Sequence, residues 1–150
     1  MTSPSVRLVE YLVFMARAEL SPELAQSATL ALLDTIGCGL YGSRQEWGRI
    51  VRDLVLSEHT HGNATLYGSD KPVAPVHAAL ANGTATHGFE LDDIILGALT
   101  HPGAVVVPAA LAVAEQNGAS GIRLLMGLVA GYEMMARVGR ALGAEHNNRG

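Results

Sequence analysis

Between His87 and His101 the chain gathers His87, Glu90, Asp92, Asp93 and His101 into fifteen residues, although only 16% of the sequence is charged. An imidazole, which ordinarily titrates near neutral pH, set among carboxylates is equipment for moving protons. The acids orient the ring or share its proton. Such a group suits removal or delivery of a proton beside a carboxylate, and hence dehydration, epimerisation or decarboxylation of a small di- or tricarboxylic acid. The same residues admit two further readings. His87, Glu90, Asp92 or Asp93 and His101 are possible ligands of a divalent metal in a hydrolase, though H-x-x-E-x-D-D lacks the H-E-x-x-H spacing that puts two histidines on one helical face. Taken one at a time, they also have structural roles. His101 can cap a helix, Asp92 and Asp93 can end one, and His87 can pack or hydrogen-bond near Glu90.

The elements that must position these residues read as helices. Ala74 to Phe89 is rich in alanine and free of proline after Pro75, so a helix leads into the acids. A short apolar segment containing Gly97 follows. Thr100-His101-Pro102-Gly103 then reads as a helix start, with proline at the first helical position and His101 at the positive, N–H-rich end. That helix should end at Asn117-Gly118, with a kink or a late start at Pro108. Ser120 caps a last helix reaching about Leu142, in which Gly127, Gly131 and Ala136 allow close packing and Glu133 and Arg137 form an i, i+4 pair.

Upstream, Ser5 to Ala18 has helical apolar spacing at Val6, Val9, Leu12 and Val13. Ser21-Pro22-Glu23 opens a second helix running to about Tyr41, whose apolar face is interrupted by Asp34, read as bonded to a neighbouring element. Arg44 to Ser57 reads as a third, with a stripe of Trp47, Ile50, Val51, Leu54 and Val55. His59 and His61 fall in a polar loop without suitable metal partners nearby. Residues 64 to 73 suggest at most a small hairpin. No strands alternate with the helices, so the expected fold class is an all-α helical bundle.

Composition narrows the function classes. The net charge of -4 and a single lysine, Lys71, argue against nucleic acid as a partner. Cys38 is alone and lies in an apolar pattern, which predicts a buried inert thiol in a reducing cytoplasm. The first ten residues lack the layout of a secretory signal, and no apolar run is long enough for a membrane span. Cytoplasmic localisation is the expectation.

Three segments carry a resemblance. A-x-x-N-G-x-x-x-H-x-x-E-x-D-D followed by T-H-P-G-A-x-x-x-P-A-A-L-A is similar to the N-terminal part of the MmgE/PrpD proteins, a family that includes 2-methylcitrate dehydratase, cis-aconitate decarboxylase and iminodisuccinate epimerase. A-L-L-D-T-I-G-C-G-L-Y-G from Ala31 to Gly42 resembles the family's early helix, and G-x-x-x-G-Y-E from Gly127 to Glu133 a later one. The resemblance implies that residues 1–150 are the N-terminal portion of a helical domain that continues past Gly150. It also implies a lyase or isomerase working without metal or organic cofactor, most like 2-methylcitrate dehydratase, and a homodimer. His101 matches the family's active-site histidine, Glu90 falls where aspartate is common, and Asp92 and Asp93 match the following pair. Ile94 stands where several members have threonine, and the spacing from Asp93 to His101 is one residue longer than in the decarboxylase. No cation lies near the acids to grip a polycarboxylate, so residues 1–150 alone are expected to have no appreciable turnover. A helical interaction module or inactive fragment is the alternative for so short a chain.

Overall fold

The computed structural model describes residues 3–59 and 61–143. The chain forms α1 (Pro4–Met15), α2 (Pro22–Gly42), α3 (Glu46–Ser57), α4 (Pro75–His87), α5 (Pro102–Asn117) and α6 (Gly121–Leu142). No strand forms among the described residues, and the architecture is the expected all-α bundle. Residues 1–2, Thr60 and residues 144–150 lie outside the described residues.

The starts follow the sequence signals. Proline opens α1, α2, α4 and α5, where its missing N–H costs nothing. Ser21 Oγ accepts from Leu24 N–H at 3.3 Å, and Ser120 Oγ from Arg123 N–H at 3.4 Å. At the end of α5, Gly118 takes the left-handed conformation, φ 59°, and Ala119 N–H donates to the Ala114 carbonyl at 2.9 Å. Two expected boundaries move inward. α1 ends at Met15 rather than Ala18, and α3 begins at Glu46 rather than Arg44 because residues 43–45 are used in a turn, with Gln45 N–H donating to the Gly42 carbonyl.

The core lies where α3, α4 and α5 meet residues 64–73. Val55, Ala64, Leu66, Val73, Ala78, Ala81 and Ala112 form its buried cluster. The predicted excursion is held by one antiparallel bridge, Ala64 to Val73, rather than by paired strands. It is pinned from below by side chains. Asn82 on α4 accepts from Tyr67 N–H and donates to the Thr65 carbonyl, each at 2.8 Å, while the Glu115 carboxylate on α5 accepts from Thr65 N–H and Oγ1 at 2.7 and 2.6 Å. The Thr65 N–H and carbonyl and the Tyr67 N–H thereby find partners.

Alanine and glycine let the central helices approach closely. Gly42 of α2 sits against the Ala85 carbonyl of α4, with no room for a side chain. Pro108 does not break α5. The Ala104 carbonyl, which Pro108 deprives of its donor four residues on, lies against Gly83 of α4, where a Cβ would come within 2.8 Å of it. The α3 stripe is narrower than its periodicity suggests, since Val55 is buried and Val51 packs on the core while Ile50 and Leu54 are exposed. Helix α3 lies on α4, on the excursion and, through Gly48, on the Gly42 end of α2, and its second apolar row is left facing outward. Leu33, Leu91 and Leu96 are also exposed, at 66, 67 and 75%. Glu133 and Arg137 pair as expected, at 3.0 Å, and the Arg137 guanidinium stacks 4.2 Å from the Tyr11 ring centre, tying α1 to α6. No helix among the described residues is long and apolar enough to cross a membrane.

Candidate active site

The acidic segment is a loop between two helix ends. α4 delivers His87 at its last turn, and the chain then reverses through Glu90, which adopts a left-handed φ of 55° with its N–H donating to the His87 carbonyl at 2.8 Å. After Asp92 and Asp93 a second tight turn, closed by the Ile95–Thr100 bridge with Leu99 at φ 48°, brings the chain back. This places His101 at the N-cap position of α5, beside the end of α4.

Asp92 sits between two imidazoles. Its side chain is fully buried, and His87 Nδ1 lies 3.2 and 3.1 Å from its two oxygens. His101 Nδ1 lies 3.4 Å from Oδ2, outside hydrogen-bonding geometry, and this buried nitrogen has no other partner among the described residues. The two rings meet edge to face with centres 4.8 Å apart. The third acid is peripheral, with Glu90 exposed and Oε1 3.7 Å from His87 Nε2. Of the three carboxylates expected to face His101, one is in contact with it. His87, which the sequence marked for packing or hydrogen bonding, is the residue that holds that carboxylate.

Asp93 points the other way. Its Oδ1 accepts from Gly103 N–H at 2.8 Å and its Oδ2 from Tyr132 Oη at 2.6 Å. The side chain that caps α5 is therefore Asp93, across the turn, and not His101, whose own side chain makes no cap bond. A Cβ built on Gly103 would come 2.5 Å from Thr35 Oγ1, 2.7 Å from Asp93 Oδ1 and 3.1 Å from Tyr132 Oη, so α2, the acidic turn and α6 converge on this helix start. Burial, reinforced by Asp93, pushes the Tyr132 phenol far above its ordinary range, which keeps it a donor.

Tyr132 and Thr35 were missed as supports of the site. The signal available was a polar residue inside an apolar helical stretch. On α2 that signal drew attention to Asp34, which is exposed, whereas its neighbour Thr35 is fully buried. Cys38 is half-buried rather than buried. Burial pushes its thiol upward, and the charges of Asp34, Asp92 and Asp93 add to the effect. His59 and His61 are exposed.

A groove of about 640 Å³ runs between α4 and α5, with His87, His101, Gly83, Thr84, Ala104 and Met135 in its walls. Neither arginine nor lysine lines it among the described residues. Among the described residues His87, Asp92 and His101 also form a group able to hold a metal ion, each offering one donor atom within 4.8 Å of the others.

Fold and site together define an all-α domain that mounts a buried aspartate between two histidines at the mouth of a helix. Residues 6–149 match the MmgE/PrpD N-terminal domain, and the chain belongs to that family. It is 30% identical over 154 aligned positions to the cis-aconitate decarboxylase-like protein oryM of Aspergillus oryzae, covering 97% of this chain and 32% of that protein. It is 29% identical over 142 positions to the cis-aconitate decarboxylase of Aspergillus terreus, covering 91% of this chain and 29% of the relative. The chain thus spans about a third of the length of the curated relatives it matches.

Proposed function

We propose that the protein carrying this chain is a lyase acting on a small di- or tricarboxylic acid, with His101 moving a proton next to a substrate carboxylate. The observation that carries this reading is His101 in the wall of the groove, its inner nitrogen turned to buried Asp92 and its outer edge left for a ligand. With Nδ1 protonated toward Asp92, Nε2 keeps the lone pair a base needs. In a dehydration that lone pair takes the proton beside the carboxylate as hydroxide leaves. In a decarboxylation the substrate carboxylate leaves as CO2, the bonding pair stays on the adjacent carbon, and His101, starting that reaction as the imidazolium, gives the carbon its Nε2 proton.

Asp92 orients the proton-carrying ring and His87 holds Asp92. Asp93 fixes the start of α5 through Gly103, and Glu90 stands exposed beside His87. Both Aspergillus relatives are described by cis-aconitate decarboxylation, which supports testing that reaction ahead of the 2-methylcitrate dehydration expected from sequence. The cation-free groove supports a site completed by residues outside this chain, and the exposed leucines support a covered surface such as a homodimer interface. One cysteine and an acidic balance are in keeping with a cytoplasmic enzyme.

The test is turnover of cis-aconitate and 2-methylcitrate by the full-length protein, with His101→Ala beside the wild type. Activity on one of them, lowered about 10²–10⁴-fold by the substitution, is expected for loss of a general acid–base group. Undiminished turnover by His101→Ala, or no turnover of any short polycarboxylate by the wild type, would overturn the reading.

A further inference from the structure

We propose that His87, Asp92 and His101 form a binding site for a borderline divalent cation of the zinc type. The argument begins with an unmet electrostatic demand. The Asp92 side chain is fully buried, His87 Nδ1 is the side-chain nitrogen that hydrogen-bonds it, and no lysine or arginine side chain forms an ion pair with it among the described residues. A buried carboxylate without a compensating cation is costly. His101 Nδ1 presents the complementary problem, being buried, without a hydrogen-bond partner, and 3.4 Å from Asp92 Oδ2. If it carries a lone pair, that lone pair faces a negative oxygen. A cation between the two satisfies both.

The spacing fits a metal ion. Zinc binds imidazole nitrogen at about 2.0–2.1 Å and carboxylate oxygen at about 2.0–2.2 Å, so neighbouring ligands in a tetrahedral site stand about 3.3–3.5 Å apart. Asp92 Oδ2 lies 3.1 Å from His87 Nδ1 and 3.4 Å from His101 Nδ1. All three donor atoms fall within 4.8 Å of one another, and a small rotation of the half-exposed His87 ring would bring the two imidazole nitrogens within reach of one ion. Two histidines and one carboxylate leave a fourth position open to the groove, as in sites where zinc also takes water or an anionic ligand. His87 Nε2 then points at Glu90 Oε1, 3.7 Å away, and that carboxylate is placed to steady the ligating ring from outside.

Occupancy has a consequence that rests on the proton-transfer reading above. A metal on His101 Nδ1 fixes the remaining ring proton on Nε2, so the lone pair that would act as base is gone. The ion and the proton shuttle then exclude each other, and the cation is an inhibitor at this site.

Binding is measured without substrate, so its failure and the failure of the enzymatic reading are separable. The full-length protein, stripped with chelator, is titrated calorimetrically with Zn²⁺, and with Co²⁺ while the visible ligand-field bands are recorded. One equivalent with four-coordinate cobalt bands is expected, weakened at least about tenfold by His87→Ala and by Asp92→Asn and unchanged by His61→Ala. His87 is half-exposed and the asparagine keeps the aspartate's shape, and thermal unfolding of both variants shows that they fold. Absence of binding by the wild type, or affinity unchanged in folded His87→Ala and Asp92→Asn, would overturn the proposal.

Discussion

Tyr132 Oη donates to Asp93 Oδ2 at 2.6 Å while the other oxygen of the same carboxylate receives Gly103 N–H at 2.8 Å. One acid therefore joins the middle of α6 to the first turn of α5, two residues from His101. Asp93→Ala removes a helix cap worth about 1 kcal/mol and leaves a half-buried phenol without its acceptor at about 1–3 kcal/mol. The expected loss is about 2–4 kcal/mol in urea unfolding. Tyr132→Phe should cost less, and the double variant less than the sum, with a coupling of about 0.5–3 kcal/mol. Strict additivity would show that the two do not act together.

Neighbouring acids should separate cleanly by phenotype. Asp92→Asn retains shape but removes the charge between the histidines, so in the full-length protein it should lower kcat with little change in unfolding midpoint. Asp93→Asn should shift the midpoint more. Steady-state kinetics and thermal unfolding on the same two variants decide the matter, and equal effects of both on both readouts would contradict the geometry.

Alkaline pH tests a buried phenol. Burial, with a contribution from Glu115, raises Tyr67 to about 12, and its Oη has no partner. An unfolded tyrosine ionises near 10, so this contribution is complete below about pH 10 and is lost as pH climbs toward about 12, where the unfolded chain alone releases the proton. At about 1.4 kcal/mol per unit the loss is about 2–3 kcal/mol. Tyr67→Phe should flatten that decline and leave neutral-pH stability unchanged or improved, because it deletes an unsatisfied hydroxyl. Denaturant titrations at several alkaline pH values measure it.

Cys38 should resist alkylation. Its thiol is raised by burial and by three nearby carboxylates, so little thiolate exists at neutral pH. Iodoacetamide should label the native protein several-fold more slowly than the denatured one, and equal rates would contradict the placement.

Residues 1–150 expressed alone should show no appreciable turnover of cis-aconitate or 2-methylcitrate. The groove beside His101 has no arginine or lysine in its walls, and a polycarboxylate needs them. Sustained turnover by the fragment would sink this expectation.

Much of the architecture was legible because it is written locally. Ser21-Pro22, Pro75, Pro102, Gly118 and Ser120 each fix a helix end through bonds within a few residues. The all-α class follows from them and from the absence of alternating patterns. The site was legible as a neighbourhood, not as a set of contacts. Asp92 and Asp93 are adjacent in sequence and were read as one acidic pair facing His101, but in an extended turn consecutive side chains point opposite ways, so one meets the histidines and the other meets Gly103 and Tyr132. Tyr132 is thirty-nine residues from Asp93, and no periodicity reports such a pairing. The exposure of Ile50 and Leu54 was hidden for the same reason, since a helical stripe says which face is apolar and not how much of it is covered.

Gly83 against the Ala104 carbonyl has an outcome for what can change in the groove. The separation of the two walls flanking His87 and His101 is set by main chain touching main chain, at a point that Pro108 has freed from helical duty. Exchanging other lining side chains, such as Thr84 or Met135, should leave that gap unchanged. The groove is a slot whose gauge is held by main chain and whose lining is left to side chains.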